Sequence, residues 1–191
     1  MPIVTRTLVR DDITPVRAYA ALRAASPGRP TFLLESAVAG ERWGRYSILG
    51  CRPRDVRVLE LTADPLAGLA DADADAEKAR SEPIAARFAR ARVGVFPYDL
   101  VHGIAKVPGF AEGLTKGRVV TDATVLVFDH LAHTVHLAGH DADDLDFVES
   151  ALGSPLTLLP LAVPDPAGTP DGLDVSIDDA TYGRSVLRAK E

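Results

Sequence analysis

The sequence predicts an α+β fold on a largely antiparallel sheet, and three observations carry that expectation. Apolar runs are short and often alternate with polar residues, which is the period of a half-buried strand. Residues 119–129, rich in Val, Thr and Phe, are followed after Leu131 and Ala132 by a second run at 133–138, the pattern of a hairpin. Helical patterns fall between strand patterns without a strand–helix–strand rhythm, so a parallel sheet is not expected.

Taken in order, residues 3–9 alternate Ile3, Thr5, Thr7 and Val9 with Val4, Arg6 and Leu8, as a strand does. Thr14 and Pro15 supply an N-cap and a first-turn proline, and Val16, Tyr19, Ala20 and Leu22 form one stripe of the helix that follows, closed by Pro27 and Gly28. Short strands are expected at 31–36, 46–49 and 56–61, with a loop at 41–44 between the first two. Residues 65–70 read as a short helix. The Asp/Ala alternation at 71–77 has too little apolar surface to bury and reads as an exposed loop or helix end. A helix at 83–91, a strand at 93–96 and a turn into helix at 98–104 come next. After the hairpin, Leu145, Val148 and Leu152 share one face of a helix over 142–152.

The organisation that results is a first domain over 1–154, a linker over 155–175 rich in Pro and Gly, and a new helix over 176–191. Ser176 or Asp178 can cap that helix, and Tyr182, Val186 and Ala189 line one side of it. It carries no stop signal before Glu191, so further chain is expected to continue it.

Composition removes several functional classes. The formal net charge is −6 and no Lys/Arg cluster stands out, which argues against nucleic acid or an anionic membrane as partner. A single cysteine, Cys51, rules out an intrachain disulfide and a cysteine metal site. The first ten residues lack the basic start and apolar run of a signal peptide, and no apolar stretch approaches the ~18 residues a membrane span needs, so a cytoplasmic protein is expected. His130, His133 and His136 suggest a metal cluster at first sight. On one strand only His130 and His136 would share a face, and no metal site is expected.

Several segments carry a family resemblance. Phe32-Leu33-Leu34-Glu35-Ser36, followed by Arg42-Trp43-Gly44-Arg45-Tyr46-Ser47-Ile48-Leu49-Gly50, resembles the opening of the chorismate-utilising enzymes, the large subunits of anthranilate synthase and aminodeoxychorismate synthase. Val93-Gly94-Val95-Phe96-Pro97-Tyr98-Asp99-Leu100-Val101 looks like the family's glycine and "YD" segment, and Val127-Phe128-Asp129-His130 like its "FDH" strand end. Tyr182 to Glu191 resembles the first helix of the catalytic domain. The motifs stand in the family's order and the resemblance covers nearly the whole chain.

The resemblance implies an N-terminal regulatory domain of two packed β-sheets with surrounding helices. In anthranilate synthases the site between the sheets binds tryptophan as feedback inhibitor. Chorismate, Mg²⁺ and the catalytic carboxylates and His belong to a C-terminal domain whose motifs are not in this sequence, and a glutamine amidotransferase subunit partners the whole enzyme. No catalytic residue and no resident cofactor is therefore expected in these 191 residues, and no chorismate lyase activity from them alone.

Free tryptophan presents an ammonium, a carboxylate and an indole, so its site needs an anion, donors and an apolar slot. Glu35 offers the anion, Ser36 and Ser47 hydroxyls, Arg45 a fork for the carboxylate, and Leu34 and Ile48 apolar wall. Glu35 and Ser36 are neighbours on a strand and point to opposite faces unless the strand end redirects them. On sequence alone Glu35 is a solvated strand end, Ser47 a hydroxyl bonded to backbone and Arg45 an ion-pair partner; the resemblance raises all three to ligand candidates. Tyr98 and Asp99 read as a polar corner that closes the core, and Cys51 as a small buried residue. Two other readings stand beside the regulatory domain: the same half of an aminodeoxychorismate synthase, and a stand-alone module that docks on a separate catalytic chain.

Overall fold

The computed structural model describes residues 3–35, 44–60, 66, 69, 81–100, 116–156 and 177–190. The expected elements at 65–70, 71–77, 101–104 and 155–175 lie wholly or almost wholly outside the described residues, as do Ser36 and Trp43. The chain divides into two units, Met1–Leu158 and Leu159–Glu191.

In the first unit the described residues form eight strands in two sheets. Strands β1 (Val4–Val9), β2 (Phe32–Leu34), β3 (Tyr46–Cys51), β7 (Thr124–Asp129) and β8 (Thr134–Gly139) make a five-stranded sheet in the order β1-β8-β7-β3-β2. Strands β4 (Asp55–Leu59), β5 (Val93–Val95) and β6 (Gly117–Thr121) make a three-stranded sheet in the order β4-β6-β5. Every pairing is antiparallel, as the α+β reading expects.

The strand expected at 119–129 is two strands. Asp122 adopts φ 53°, a left-handed conformation that Asp tolerates better than β-branched residues, and the chain turns there from β6 into β7. Opposite it, Arg52 adopts φ 48° between β3 and β4, and the Arg54 amide donates to the Asp122 carbonyl at 3.3 Å. The pairs β3–β7 and β4–β6 are thus one antiparallel ribbon, bent where three residues, 52–54, face two, 122 and 123. An extra residue in one strand of a ladder bends it in the same manner as a bulge.

Side-chain alternation gives the five-stranded sheet two apolar faces. On one, Leu49, Cys51, Leu126, Phe128, Val135 and Leu137 meet helices α1 (Pro15–Ala25) and α3 (Ala142–Gly153) through Ala18, Leu22, Leu145, Val148 and Leu152. On the other, Val125, Val127 and Ala138 meet α2 (Ile84–Ala89) through Ala85 and Ala89. Six consecutive buried residues in β7 follow from this: both faces are covered. The Thr14 hydroxyl caps α1 by accepting from the Arg17 amide at 3.3 Å, and the Asp141 carboxylate caps α3 by accepting from the Asp144 amide at 2.9 Å.

Two expectations about corners change. Tyr98 does not close a core: it is 86% exposed in a single 3₁₀ turn, Tyr98–Leu100, and Leu100 is the residue buried with Leu59 and Val119. His133 is not on a strand either. It sits in the β7–β8 turn at φ 53°, which breaks the parity between His130 and His136. His136 pairs with Val127 and shares its face, whereas His130 extends the face of Phe128, so the two lie on opposite sides of the sheet.

The second unit contains helix α4 (Asp179–Ala189), capped by Asp178, whose carboxylate accepts from the Thr181 amide at 2.6 Å. None of its residues is buried, Tyr182, Val186 and Ala189 included. No helix among the described residues is long and apolar enough to cross a membrane.

Candidate functional site

The register of β2 and β3 brings the sequence-predicted residues together. Leu33 faces Leu49 and Leu34 faces Ile48, which sets Glu35 beside Ser47 one step further on. The Ser47 hydroxyl lies 3.4 Å from the Glu35 carboxylate. Ser47 is buried, 1% exposed, whereas Glu35 at the strand end is exposed to solvent. Both follow the side of the sheet occupied by Leu33, Leu49 and Phe128.

Leu34 turns the other way, with Phe32 and Ile48. It helps line a groove of ≈ 540 Å³ between β2 and the three-stranded sheet, where Phe32, Val56, Val95 and Val120 give apolar wall and Arg29 and Arg118 supply cations. The candidate residues therefore divide between two faces of one strand. β2 is an edge strand that ends at Leu34.

Arg45 has a partner within the protein. Its Nη2 lies 2.6 Å from the Asp129 carboxylate and its Nε 3.1 Å from it, and its guanidinium stacks over the Tyr46 ring with 4.9 Å to the centroid. Asp129 is 5% exposed, and its Oδ1 also accepts from the Leu131 and Ala132 amides at 3.1 Å each. The Arg45 guanidinium, above all, together with these amides, holds the Asp129 carboxyl down at about 2. Guanidinium has five N–H donors, and the edge turned away from Asp129 keeps some of them for a second carboxylate.

One residue of the site escaped the sequence reading. The His130 Nε2 lies 2.8 Å from the Ser47 hydroxyl, and the His130 amide donates to the Arg45 carbonyl at 2.9 Å. Ser47 faces Phe128 across β3 and β7, so the residue two beyond Phe128 falls on the same side. The signal was the "FDH" segment itself, read with its strand register. Ser36 lies outside the described residues.

Cys51, fully buried between Leu49 and the α3 face, has its thiol pushed up to about 12 by that burial, against the weaker pull of Arg52. It is a small buried core residue, as expected. Among the described residues no group of three or more His, Cys, Asp and Glu side chains could hold a metal ion.

Comparison with known proteins fixes the setting of this geometry. No protein-family model matches the chain. Curated proteins do: anthranilate synthase component 1 of Mycobacterium tuberculosis is 32% identical over 203 residues, which takes in 85% of this chain and 39% of the relative. The protein of that name from Pseudomonas aeruginosa is 34% identical over 71% of the chain and 31% of its own length. That from Thermus thermophilus is 32% identical over 81% of the chain and 37% of its own length. The chain belongs to the anthranilate synthase component 1 family. It spans about two fifths or less of the length of these relatives. A stretch that takes in 85% of a 191-residue chain includes residues 35 to 130 wherever it starts, so the Glu35–Ser47–His130 row and the Arg45–Asp129 pair lie within the part similar to the relative from Mycobacterium tuberculosis.

Proposed function

We propose that this chain is the N-terminal, amino-acid-binding regulatory part of an anthranilate synthase component 1, with L-tryptophan as its ligand. The enzyme to which such a part belongs converts chorismate and ammonia, or glutamine with an amidotransferase subunit, to anthranilate and pyruvate. Chorismate and Mg²⁺ belong to its catalytic part, for which α4 is the first helix.

The observation that carries this reading is the exposed Glu35 carboxylate at the end of edge strand β2, beside the buried Ser47 hydroxyl and around the strand from the apolar groove at Leu34. A ligand across the strand end sets its ammonium on Glu35. Its indole enters the groove against Leu34, and its carboxylate reaches the outer edge of Arg45, with Ser36 in the adjoining segment. An anion, a cation and an apolar wall are what a free aromatic amino acid requires.

Calorimetric titration of L-tryptophan tests the reading, using the chain alone and joined to the remainder of an anthranilate synthase component 1. Binding is expected, and Glu35→Gln or Ser47→Ala should weaken it about tenfold, the effect of losing ~1.4 kcal/mol of a charge-assisted contact. Equal binding by parent and both variants would refute the site; no binding in either setting would refute the regulatory reading.

A further inference from the structure

The walls of the groove beside Leu34 belong to different sheets. Phe32 and Leu34 stand on the five-stranded sheet, and Val56, Val95 and Val120 on the three-stranded one. Among the described residues, β4, β5 and β6 make their main contacts with one another, and the ribbon bent at 52–54 and 122–123 joins them to the larger sheet. The angle of that bend therefore sets the width of the groove. Val95 pairs with Arg118, four residues from Asp122, which puts it roughly 13 Å from the bend at ~3.3 Å per residue. On that lever a rotation of about 10° carries Val95 about 2 Å, whereas a gap of only ~0.5–1 Å forfeits a quarter to a half of a van der Waals contact.

A two-stranded ribbon varies widely in twist unless something holds it. Helix α3 supplies the hold. It is seated on the larger sheet through Leu145, Val148 and Leu152, and its N-terminal end offers two carboxylates to the bend. Arg54 Nη2 lies 2.7 Å from Asp141 Oδ2 and 3.5 Å from Asp144 Oδ2. Arg52 Nε lies 3.7 Å from Asp144 Oδ1, and its guanidinium stands over the Phe147 ring, 4.5 Å from the centroid. Both carboxylates are fixed in turn: Asp141 accepts from the Asp144 amide at 2.9 Å, and the buried Asp144 from the His140 amide at 3.4 Å. A carboxylate so far out of water keeps its cations close, because their departure would leave it uncompensated. On the bend itself Arg52 adopts φ 48°, a conformation that a residue with a side chain keeps only where its surroundings fix it.

We propose that Arg52 and Arg54, gripped by Asp141 and Asp144, are positioning residues that latch the bend, set the width of the groove and so set its fit to an aromatic side chain. None of the four lines the groove. The inference rests on reading the groove as the indole slot, and deepens that reading by assigning the fit of the slot to residues that do not touch the ligand.

Arg54 is the residue to change, because its side chain is 41% exposed and loss of an exposed pair costs the fold little. Arg54→Gln removes both of its ion pairs, and Arg54→Lys keeps a cation for them. The first measurement needs no ligand: backbone residual dipolar couplings of the 191-residue chain. In the parent and in Arg54→Lys, both sheets should fit one common orientation. In Arg54→Gln each sheet should keep its internal fit, while β4 to β6 rotate against β7 and β8 or lose amplitude. Couplings of Arg54→Gln that fit the parent orientation would overturn the latch. The second measurement is calorimetry with L-tryptophan on the chain joined to the remainder of an anthranilate synthase component 1. Arg54→Gln should bind about threefold more weakly, the effect of loosened contacts on one wall, and Arg54→Lys close to the parent. Equal affinity in the parent and Arg54→Gln would overturn the proposal as well. No binding by the parent would refute the ligand reading instead, with the couplings still deciding whether the latch sets the groove.

Discussion

Asp129 joins two segments through one carboxylate: Arg45 before β3, and the Leu131 and Ala132 amides of the β7–β8 turn. Its carboxyl sits at about 2 in the folded chain, against about 4 in an unfolded one. Stability from this group is therefore complete above about pH 4 and lost as pH falls through about 2, a swing of ~2 kcal/mol. Asp129→Asn keeps an oxygen for the turn amides and loses the charge. Urea unfolding at pH 7 should place the variant ~2 kcal/mol below the parent, and the gap should close as pH approaches 2. A gap that persisted at pH 2 would mean that shape, not charge, is what Asp129 contributes. The pair was half legible: an ion pair was a natural reading of Arg45, but its partner lies 84 residues away and only the β3–β7 register reveals it.

At the scale of elements, β2 is the weakest support of the site, three residues on the sheet edge. It is held by the Phe32 ring, which lies over Gly50, its cross-strand partner, so that a methyl group added at Gly50 would meet the ring directly. Gly50→Ala should push that ring toward the groove and destabilise the chain by ~1–3 kcal/mol, the usual cost of overpacking. It should also loosen Leu34 and Glu35. Thermal unfolding with amide exchange at 32–34 checks both, and an unchanged melting temperature would show that the ring moves aside at no cost. Element types were readable because each has a local cause: Thr14-Pro15 starts α1, and the stripe of Leu145, Val148 and Leu152 defines α3. The break at Asp122 was not readable. Residues 119–129 have an unbroken β-forming composition, and what turns the chain there is the facing bend at Arg52 to Arg54, a non-local partner. The same dependence hid His130: its neighbour Ser47 is set by pairing across the sheet, not by spacing along the chain.

Across the first unit, one bent ribbon serves both sheets, but the sheets are not equally supported. β7 is buried on both faces and is central in its sheet, with Leu126 and Val127 fully buried. Among the described residues the core of the three-stranded sheet is Leu59, Leu100 and Val119, while Val56, Val58 and Val95 are exposed, each about 40% or more. Apolar burial is the main source of stability, so the five-stranded sheet should hold the global unfolding unit and the smaller sheet should open below it. Amide exchange should then show β7 exchanging only through global unfolding, and β4 and β5 through a cheaper opening. Substitutions separate the two levels. Leu126→Ala should cost ~2–5 kcal/mol and lower the protection of every strand, because the cavity lies in the common core. Leu59→Ala should speed exchange in β4 to β6 most and leave β1, β8 and β7 nearer the parent. Since Val56, Val95 and Val120 wall the groove beside Leu34, opening of the smaller sheet would remove one side of the candidate site while Glu35, Ser47 and His130 stayed in place. Ligand added to the parent should accordingly protect β4 and β5 more than β7. Equal protection of all strands would place the ligand away from the groove.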